Sequence, residues 1–222
     1  ALEAGVEVVI AISTDKAVKP VNVMGMSKAI QERIMLHPTN GENRTRFVCV
    51  RYGNVLGSRG SVVPLFHQCI LNDVPLPITH PDMTRFLLTL NQAVQLVLWA
   101  TVKGEGGDLW VRKMPAATIA DLGRALAQGM TGRRDYPQKI VGIRPGEKMH
   151  EVLISEEEMW RANEMEEHLL ISSWSTAQRM QNPTNDVIKE YSSDSVHRMS
   201  EIELMALLES EGWFSREAKN GL

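Results

Sequence analysis

Apolar residues in this chain fall into short continuous runs that alternate with stretches of helical spacing. The run Val6–Ile12 (VEVVIAI) has the unbroken apolar character of a parallel strand buried on both faces. A polar loop, STDKAVKP, follows it, and the spacing then predicts a helix from about Asn22 to Leu36. A second strand is predicted over Thr45–Tyr52 (TRFVCVRY). Gly53, Gly57 and Gly60 mark a loop before a helix over Ser61–Asn72. Pro75, Pro77 and Pro81 follow, with Pro64 just upstream, so the stretch from Asp73 to Thr84 reads as irregular. Beyond it the pattern predicts a helix at Asn91–Val102, a strand at Leu109–Arg112, a helix at Thr118–Met130 and a strand at Lys139–Ile143.

Strand–helix–strand alternation of this kind indicates an α/β fold with a parallel sheet. Only Val6–Ile12 and Thr45–Tyr52 belong clearly to such a sheet, and two parallel strands do not make a stable doubly wound layer. Ala1–Gly5 reads as the end of a helix that enters a strand at once, without a starting methionine, as in the middle of a longer fold. Past Glu151 the composition shifts: residues 151–168 hold seven glutamates and one arginine, and Glu156–Glu158 reads as a solvated helix face. Ser172–Ser195 is polar with weak periodicity, and Ser200-x-x-Glu203 is a capping box that opens a last amphipathic helix to about Glu211. Trp160, Trp174 and Trp213 punctuate this tail, which is therefore expected to pack. The organisation expected is a part-sheet domain over 1–60, a second domain over 61–155 with a return to the sheet around 85–115, and an appendage over 156–222.

Composition narrows the classes of function. The chain has 222 residues, 43% of them apolar, and a net charge of −3, so nothing points to nucleic acid as a partner. Cys49 and Cys69 are too few for a disulfide scaffold and read as core thiols. The six histidines form no HExxH or Cys/His ligand spacing, so no metal is expected. No run approaches the roughly 20 apolar residues that cross a bilayer, and no basic region precedes the first apolar run. A cytoplasmic location is expected.

Two clusters carry candidate chemistry. Ser13-Thr14-Asp15-Lys16 brings hydroxyls, a carboxylate and an ammonium out of the carboxyl end of a buried strand, the edge where open α/β sheets bind ligands. Met24 and Lys28, four apart on the following helix, share one face. A plain strand-to-helix loop with Asn22 as a helix cap is the alternative. The second cluster is RYGNVLGSRGSVVP, Arg51 to Pro64, whose glycines suit a backbone that approaches a ligand closely. Two further arginines, Arg85 in PDMTRF and Arg144 in GIRPGEK, are candidates for a diphosphate because a guanidinium donates two parallel hydrogen bonds. Glu147 is a candidate acceptor for ribose hydroxyls. A surface ion pair at each station is the plainer reading.

The string ISTDKAVKPVNVMGMSK resembles the active-site segment of the extended short-chain dehydrogenase/reductases, in particular the UDP-N-acetylglucosamine 4,6-dehydratases of polysaccharide biosynthesis. Most of that superfamily carries Tyr-x-x-x-Lys on this helix. Here the matching positions are Met24 and Lys28, a departure that narrows the match to a methionine-bearing subgroup and argues against tyrosine-dependent epimerases. The resemblance covers about residues 5–155. It implies the carboxy-terminal part of a Rossmann-type parallel sheet plus a smaller α/β substrate-binding domain. The amino-terminal half of the Rossmann fold, with its glycine fingerprint, is expected upstream, since this chain has no GxGxxG or GxxGxxG.

The resemblance also implies roles. NAD or NADP is the expected cofactor, contacted by Ser13, Lys28, Tyr52 and Gly53. A UDP-sugar is the expected substrate, bound by Asn54, the Ser61–Val62 backbone, Arg85, Arg144 and Glu147. A 4,6-dehydratase takes a hydride from sugar C4, removes the C5 proton, expels the C6 hydroxyl and returns the hydride to C6. Met24 cannot titrate, so Asp15 is the candidate that accepts the C4 hydroxyl proton and passes it to the C6 leaving group. Lys16 is the candidate base at C5, and Thr14 the donor to the C4 oxygen. The full-length parent is expected to self-associate as a homo-oligomer. Two alternatives stay open: a UDP-sugar epimerase of the same superfamily, and a noncatalytic UDP-sugar-binding or oligomerisation fragment.

Overall fold

The computed structural model describes residues 1–37, 45–172 and 189–215. Its strands are β1 (Val8–Thr14), β2 (Arg46–Tyr52), β3 (Asn54–Val55), β4 (Leu76–Ile78), β5 (Thr84–Leu88), β6 (Leu109–Arg112), β7 (Ala116–Thr118), β8 (Gln138–Ile140), β9 (Val152–Ile154), β10 (Ala162–Glu164), β11 (His168–Ile171) and β12 (Tyr191–Ser192). The helices are α1 (Val23–Met35), α2 (Val62–Leu71), α3 (Leu90–Lys103), α4 (Ile119–Thr131), α5 (Glu156–Met159) and α6 (Glu201–Ser210), with a single 3-10 turn at Asp15–Ala17. The fold is α/β, as the alternation requires. Among the described residues no helix is long and apolar enough to cross a membrane, and no group of three His, Cys, Asp or Glu side chains is placed to hold a metal ion.

The chain forms two compact units, each assembled from three segments. The first unit takes Ala1–Gly53, Leu90–Lys113 and Val152–Ser192. Its sheet runs β1-β2-β6-β11-β10, with β1, β2 and β6 parallel and β11 and β10 antiparallel. Strand β2 is sandwiched between neighbours, and Val48, Cys49, Val50 and Arg51 are buried in it. Leu96 and Ala100 of α3 pack on Val48, Val50 and Trp110. On α1, by contrast, Gly25 and Glu32 are the buried residues, while Ile30 and Ile34 are exposed.

The second unit takes Asn54–Thr89, Met114–Glu151 and Ser193–Leu222. It holds the sheet β3-β5-β7, the parallel pair β4–β8, and a core in which α4 packs against α2 and α6. Phe66 and Ile70 of α2, Leu122 and Leu126 of α4, Leu204 and Leu208 of α6, and Trp213 meet there. Gly57 closes this core at φ +75°, where a Cβ would lie 2.3 Å from the Trp213 ring.

Several expectations change. The first strand ends two residues later than its apolar run, so Ser13 and Thr14 belong to strand and not to loop. The stretch expected to be irregular contains β4, because Pro77 lies in a two-stranded pair where proline is tolerated. Ala1–Gly5 is a turn rather than a helix end, closed by Ala4 and Gly5 amides on the Ala1 and Leu2 carbonyls. The tail is not one appendage: β10 and β11 complete the first unit's sheet, and α6 fills the second unit's core. Its capping box forms as expected, with Ser200 and Glu203 bonded reciprocally. Trp160 is exposed, and Trp174 lies outside the described residues.

Candidate functional site

In the first unit the carboxyl end of β1 gathers the first cluster. The Thr14 hydroxyl donates to Asp15 Oδ1 at 2.6 Å, and the Lys16 ammonium donates to the same oxygen at 2.9 Å. Asp15 is 0% exposed. Its Oδ2 and the Ser13 hydroxyl are buried with no hydrogen-bond partner among the described residues. One carboxylate oxygen is thus committed and the other is left open, which is costly unless a ligand or water completes it.

Helix α1 is held close to this cluster. Asn22 caps it by accepting from the Gly25 amide at 2.8 Å. Gly25 packs so tightly that a Cβ there would lie 2.3 Å from the Lys16 carbonyl oxygen. One turn on, Lys28 Nζ donates to the Ile12 carbonyl and to Gln31 Oε1, each at 2.9 Å. Met24 is 47% exposed. Thr14, Asp15 and Lys16 therefore form one bonded group, and Lys28 sits separately on the backbone of the same strand. Tyr52 ends β2 and Gly53 follows it, and burial pushes the Tyr52 hydroxyl pKa above its ordinary value.

Sequence reasoning missed the assembly beneath. Arg51, 2% exposed, donates from Nε and Nη2 to Glu32 at 2.9 and 2.5 Å, and from Nη1 and Nη2 to Glu158 at 3.0 Å each. Its Nη1 also donates to the Leu153 carbonyl at 2.7 Å. Burial alone would lower the Arg51 pKa; hydrogen bonds and charges from Glu32 and Glu158 outweigh it and raise the value further. Burial alone would raise Glu158, but the charge and bonds of Arg51, with those of Ser155, hold it below the usual carboxylate range. Glu158 is thus an inward ligand of Arg51 and not part of a solvated face. The available signal was an arginine inside an apolar strand, where a charge persists only if paired. Beside it, burial pushes the Cys49 thiol up to about 12.

In the second unit Asn54 opens β3 and Ser61 precedes α2. Asn54 Oδ1 and Ser61 Oγ are buried without partners among the described residues, and Ser61 makes no side-chain cap bond. Val62 begins the helix, where first-turn amides lack intrahelical acceptors and favour anions. Arg85 is partly buried, its side chain 11% exposed, rather than superficial. It donates to the Thr84 carbonyl at 2.7 Å and the Met149 carbonyl at 3.3 Å, and its Nε lies 3.8 Å from Glu151 Oε1. Lys148 Nζ lies 3.9 Å from the other oxygen of Glu151. Arg144 is exposed in a turn in which its amide donates to Glu147 Oε2 at 3.3 Å. The two arginines therefore belong to separate groups. Glu151, the buried partner of one, was not singled out from the sequence.

A family model described as polysaccharide biosynthesis protein matches residues 1–173. The uncharacterized membrane protein MJ1061 of Methanocaldococcus jannaschii is 44% identical over 178 residues, 77% of this chain and 54% of its own length. A UDP-glucose 4-epimerase of Rickettsia bellii is 46% identical over 159 residues, 71% of this chain and 46% of its own. The X-ray structure of Pen from Bacillus thuringiensis superposes with a TM-score of 0.85 at 32% identity, over 97% of this chain and 65% of that one. This chain spans about half the length of the curated relatives it matches. More distant solved structures, nucleotide-sugar dehydratases and epimerases at 16 to 20% identity and TM-scores of 0.53 to 0.59, share the fold alone. The parallel part of the first unit's sheet is of Rossmann type, the fold that these structures share.

Proposed function

This chain belongs to the polysaccharide biosynthesis protein family, and from that premise we propose that the complete gene product is a 4,6-dehydratase of a UDP-N-acetylhexosamine. The observation that carries the reading is the Thr14–Asp15–Lys16 group, a buried carboxylate with a hydroxyl and an ammonium on Oδ1 and, among the described residues, nothing on Oδ2. Dehydration needs one group that takes a proton from the C4 hydroxyl and gives it to the departing C6 oxygen. It also needs a base at C5, whose proton a 4-keto group acidifies. Asp15 accepts the C4 proton on Oδ2 and releases it to the C6 hydroxyl, which leaves as water. Lys16 is the group assigned to the C5 proton, which it returns to C5 at the end. Thr14 orients the carboxylate, to which its one hydroxyl proton is committed.

The end of β1 fits a nicotinamide dinucleotide. Lys28 commits two of its three N–H bonds, to Ile12 and Gln31, and the Ser13 hydroxyl is buried and unpartnered among the described residues. Lys28 would hold the nicotinamide ribose, and Ser13, Tyr52 and Gly53 would line the ring. When bound, NAD or NADP supplies the oxidant for C4 and the reductant for C6. In the second unit the buried oxygens of Asn54 and Ser61, the Val62 amide, and the Arg85, Arg144 and Glu147 side chains are the groups assigned to the UDP moiety.

The Rickettsia relative's name favours a second reading, C4 epimerisation, which shares the oxidation at C4 but eliminates no water. Incubation of the complete gene product with UDP-N-acetylglucosamine separates the two. A 4-keto-6-deoxy product lighter by one water is expected. A C4 epimer of unchanged mass establishes the second reading, and binding of UDP without turnover makes the chain a noncatalytic nucleotide-sugar module.

A further inference from the structure

The Glu32–Arg51–Glu158 assembly takes no part in the proton transfers above, yet it is completely satisfied. A guanidinium has five N–H donors, and all five are spent: Nε on Glu32, Nη1 on Leu153 and Glu158, Nη2 on Glu32 and Glu158. Glu158 is itself fixed, since its Oε2 also accepts from the Ser155 amide at 3.0 Å and the Ser155 hydroxyl at 3.2 Å. Stability alone does not account for such a cluster, because apolar residues of similar volume are often as stable or more so. Planar, bidentate bonding offers geometric definition instead.

That definition falls on α1. The helix is pinned twice: at its first turn by Gly25 against the Lys16 backbone, and near its end by Glu32 in the buried assembly. Lys28 lies between the pins, one turn before Glu32 and on the same face. Two fixed points set both the height and the rotation of a helix. Gly25 contributes only a steric limit, whereas Glu32 contributes directional bonds.

We infer that Arg51 is a positioning residue: by holding Glu32 it sets the rotation of α1 that seats the Lys28 ammonium on the Ile12 carbonyl. The functional meaning of that seat rests on the reading of Lys28 as a nicotinamide-ribose donor, but the positioning itself does not.

The first experiment uses the ligand-free 222-residue chain. Acylation of Lys28 by an amine reagent is followed by mass spectrometry, with exposed Lys139 as internal reference. In Glu32→Gln and in Arg51→Lys, each checked for a cooperative thermal melt, Lys28 labelling should rise about tenfold against Lys139, the scale of coupling between neighbouring groups. Glu32→Asp, which keeps the charge but shortens the reach, carries the same expectation if Glu32→Gln does not fold. An unchanged ratio in a folded variant overturns the inference.

The second experiment measures affinity of the complete gene product for NAD and for UDP in Glu32→Gln, Lys28→Ala and the double variant. NAD affinity should fall about tenfold in Glu32→Gln, with no added loss in the double variant beyond Lys28→Ala. UDP affinity should hold, where general destabilisation would lower both. Additive losses overturn the inference. If Lys28→Ala leaves NAD affinity intact while the labelling ratio still responds to Glu32→Gln, the positioning stands and the nicotinamide reading fails.

Discussion

Asp15 is the residue on which the proposed chemistry turns. Its buried, half-satisfied carboxylate predicts that Asp15→Asn in the complete gene product lowers turnover by about 100- to 10,000-fold. In single-turnover absorbance of the nicotinamide, the oxidation itself should slow. Lys16→Ala should still oxidise C4 and then stall, accumulating reduced cofactor. Met24→Ala should cost much less, because a half-exposed thioether carries no proton. Oxidation at the parental rate in Asp15→Asn would leave Asp15 as an acid only. The two arginines should differ. Arg85→Ala removes a cation beside buried Glu151 and should both weaken UDP binding and destabilise by about 1–3 kcal/mol in chemical denaturation. Arg144→Ala, on an exposed turn, should weaken UDP binding in calorimetry with little change in stability. Glu158 gives a pH prediction. Its folded-state pKa lies below the unfolded value of about 4.3. The stability it contributes is therefore complete above that value and is lost as pH falls through the folded-state pKa. The melting temperature gap between the native chain and Glu158→Gln should be wide at pH 7 and narrow steadily below about pH 4.

At the scale of elements, α1 shows how little of a helix's placement follows from its apolar pattern. Its inward face carries Gly25 and Glu32, and its isoleucines face outward. Gly25→Ala should therefore be worse than its good helix propensity implies: the methyl meets the Lys16 carbonyl, and overpacking of this kind costs about 1–3 kcal/mol. Asn22→Ala should cost about 1 kcal/mol by removing the cap on Gly25. Thermal denaturation of the two variants checks both, and a neutral or stabilised Gly25→Ala would mean that α1 can shift away from the strand end.

Across the whole molecule, each unit is assembled from three stretches of chain that are discontinuous in sequence. A boundary near residue 155, natural from composition, cuts through both. Truncation there removes β10 and β11 from one unit, and Leu204, Leu208 and Trp213 from the core of the other. Circular dichroism should show loss of a cooperative melt, not release of a folded 155-residue domain. The chain has no glycine fingerprint for a dinucleotide, so alone it should bind NAD more weakly than micromolar in calorimetry. Micromolar binding would show that the groups at the end of β1 suffice.

The two parallel strands β1 and β2, the limits of the expected helices to within a residue or two, and the Thr14–Asp15–Lys16 group could all be read from the residues alone, although β1 is half-exposed and not buried on both faces. Those features are local, since strand period, caps and i,i+4 faces are set by neighbouring residues. A bonded cluster built from consecutive residues comes with them. The remaining features depend on partners far apart in the chain. Arg51 meets Glu32 and Glu158, 19 and 107 positions away, and no periodicity carries that pairing. Pro77 hides a strand because pairing with β8, not propensity, makes it one. The inward face of α1 was likewise settled by a close backbone approach and a buried charge. Both override the apolar stripe because an unpaired buried charge costs more than an exposed isoleucine.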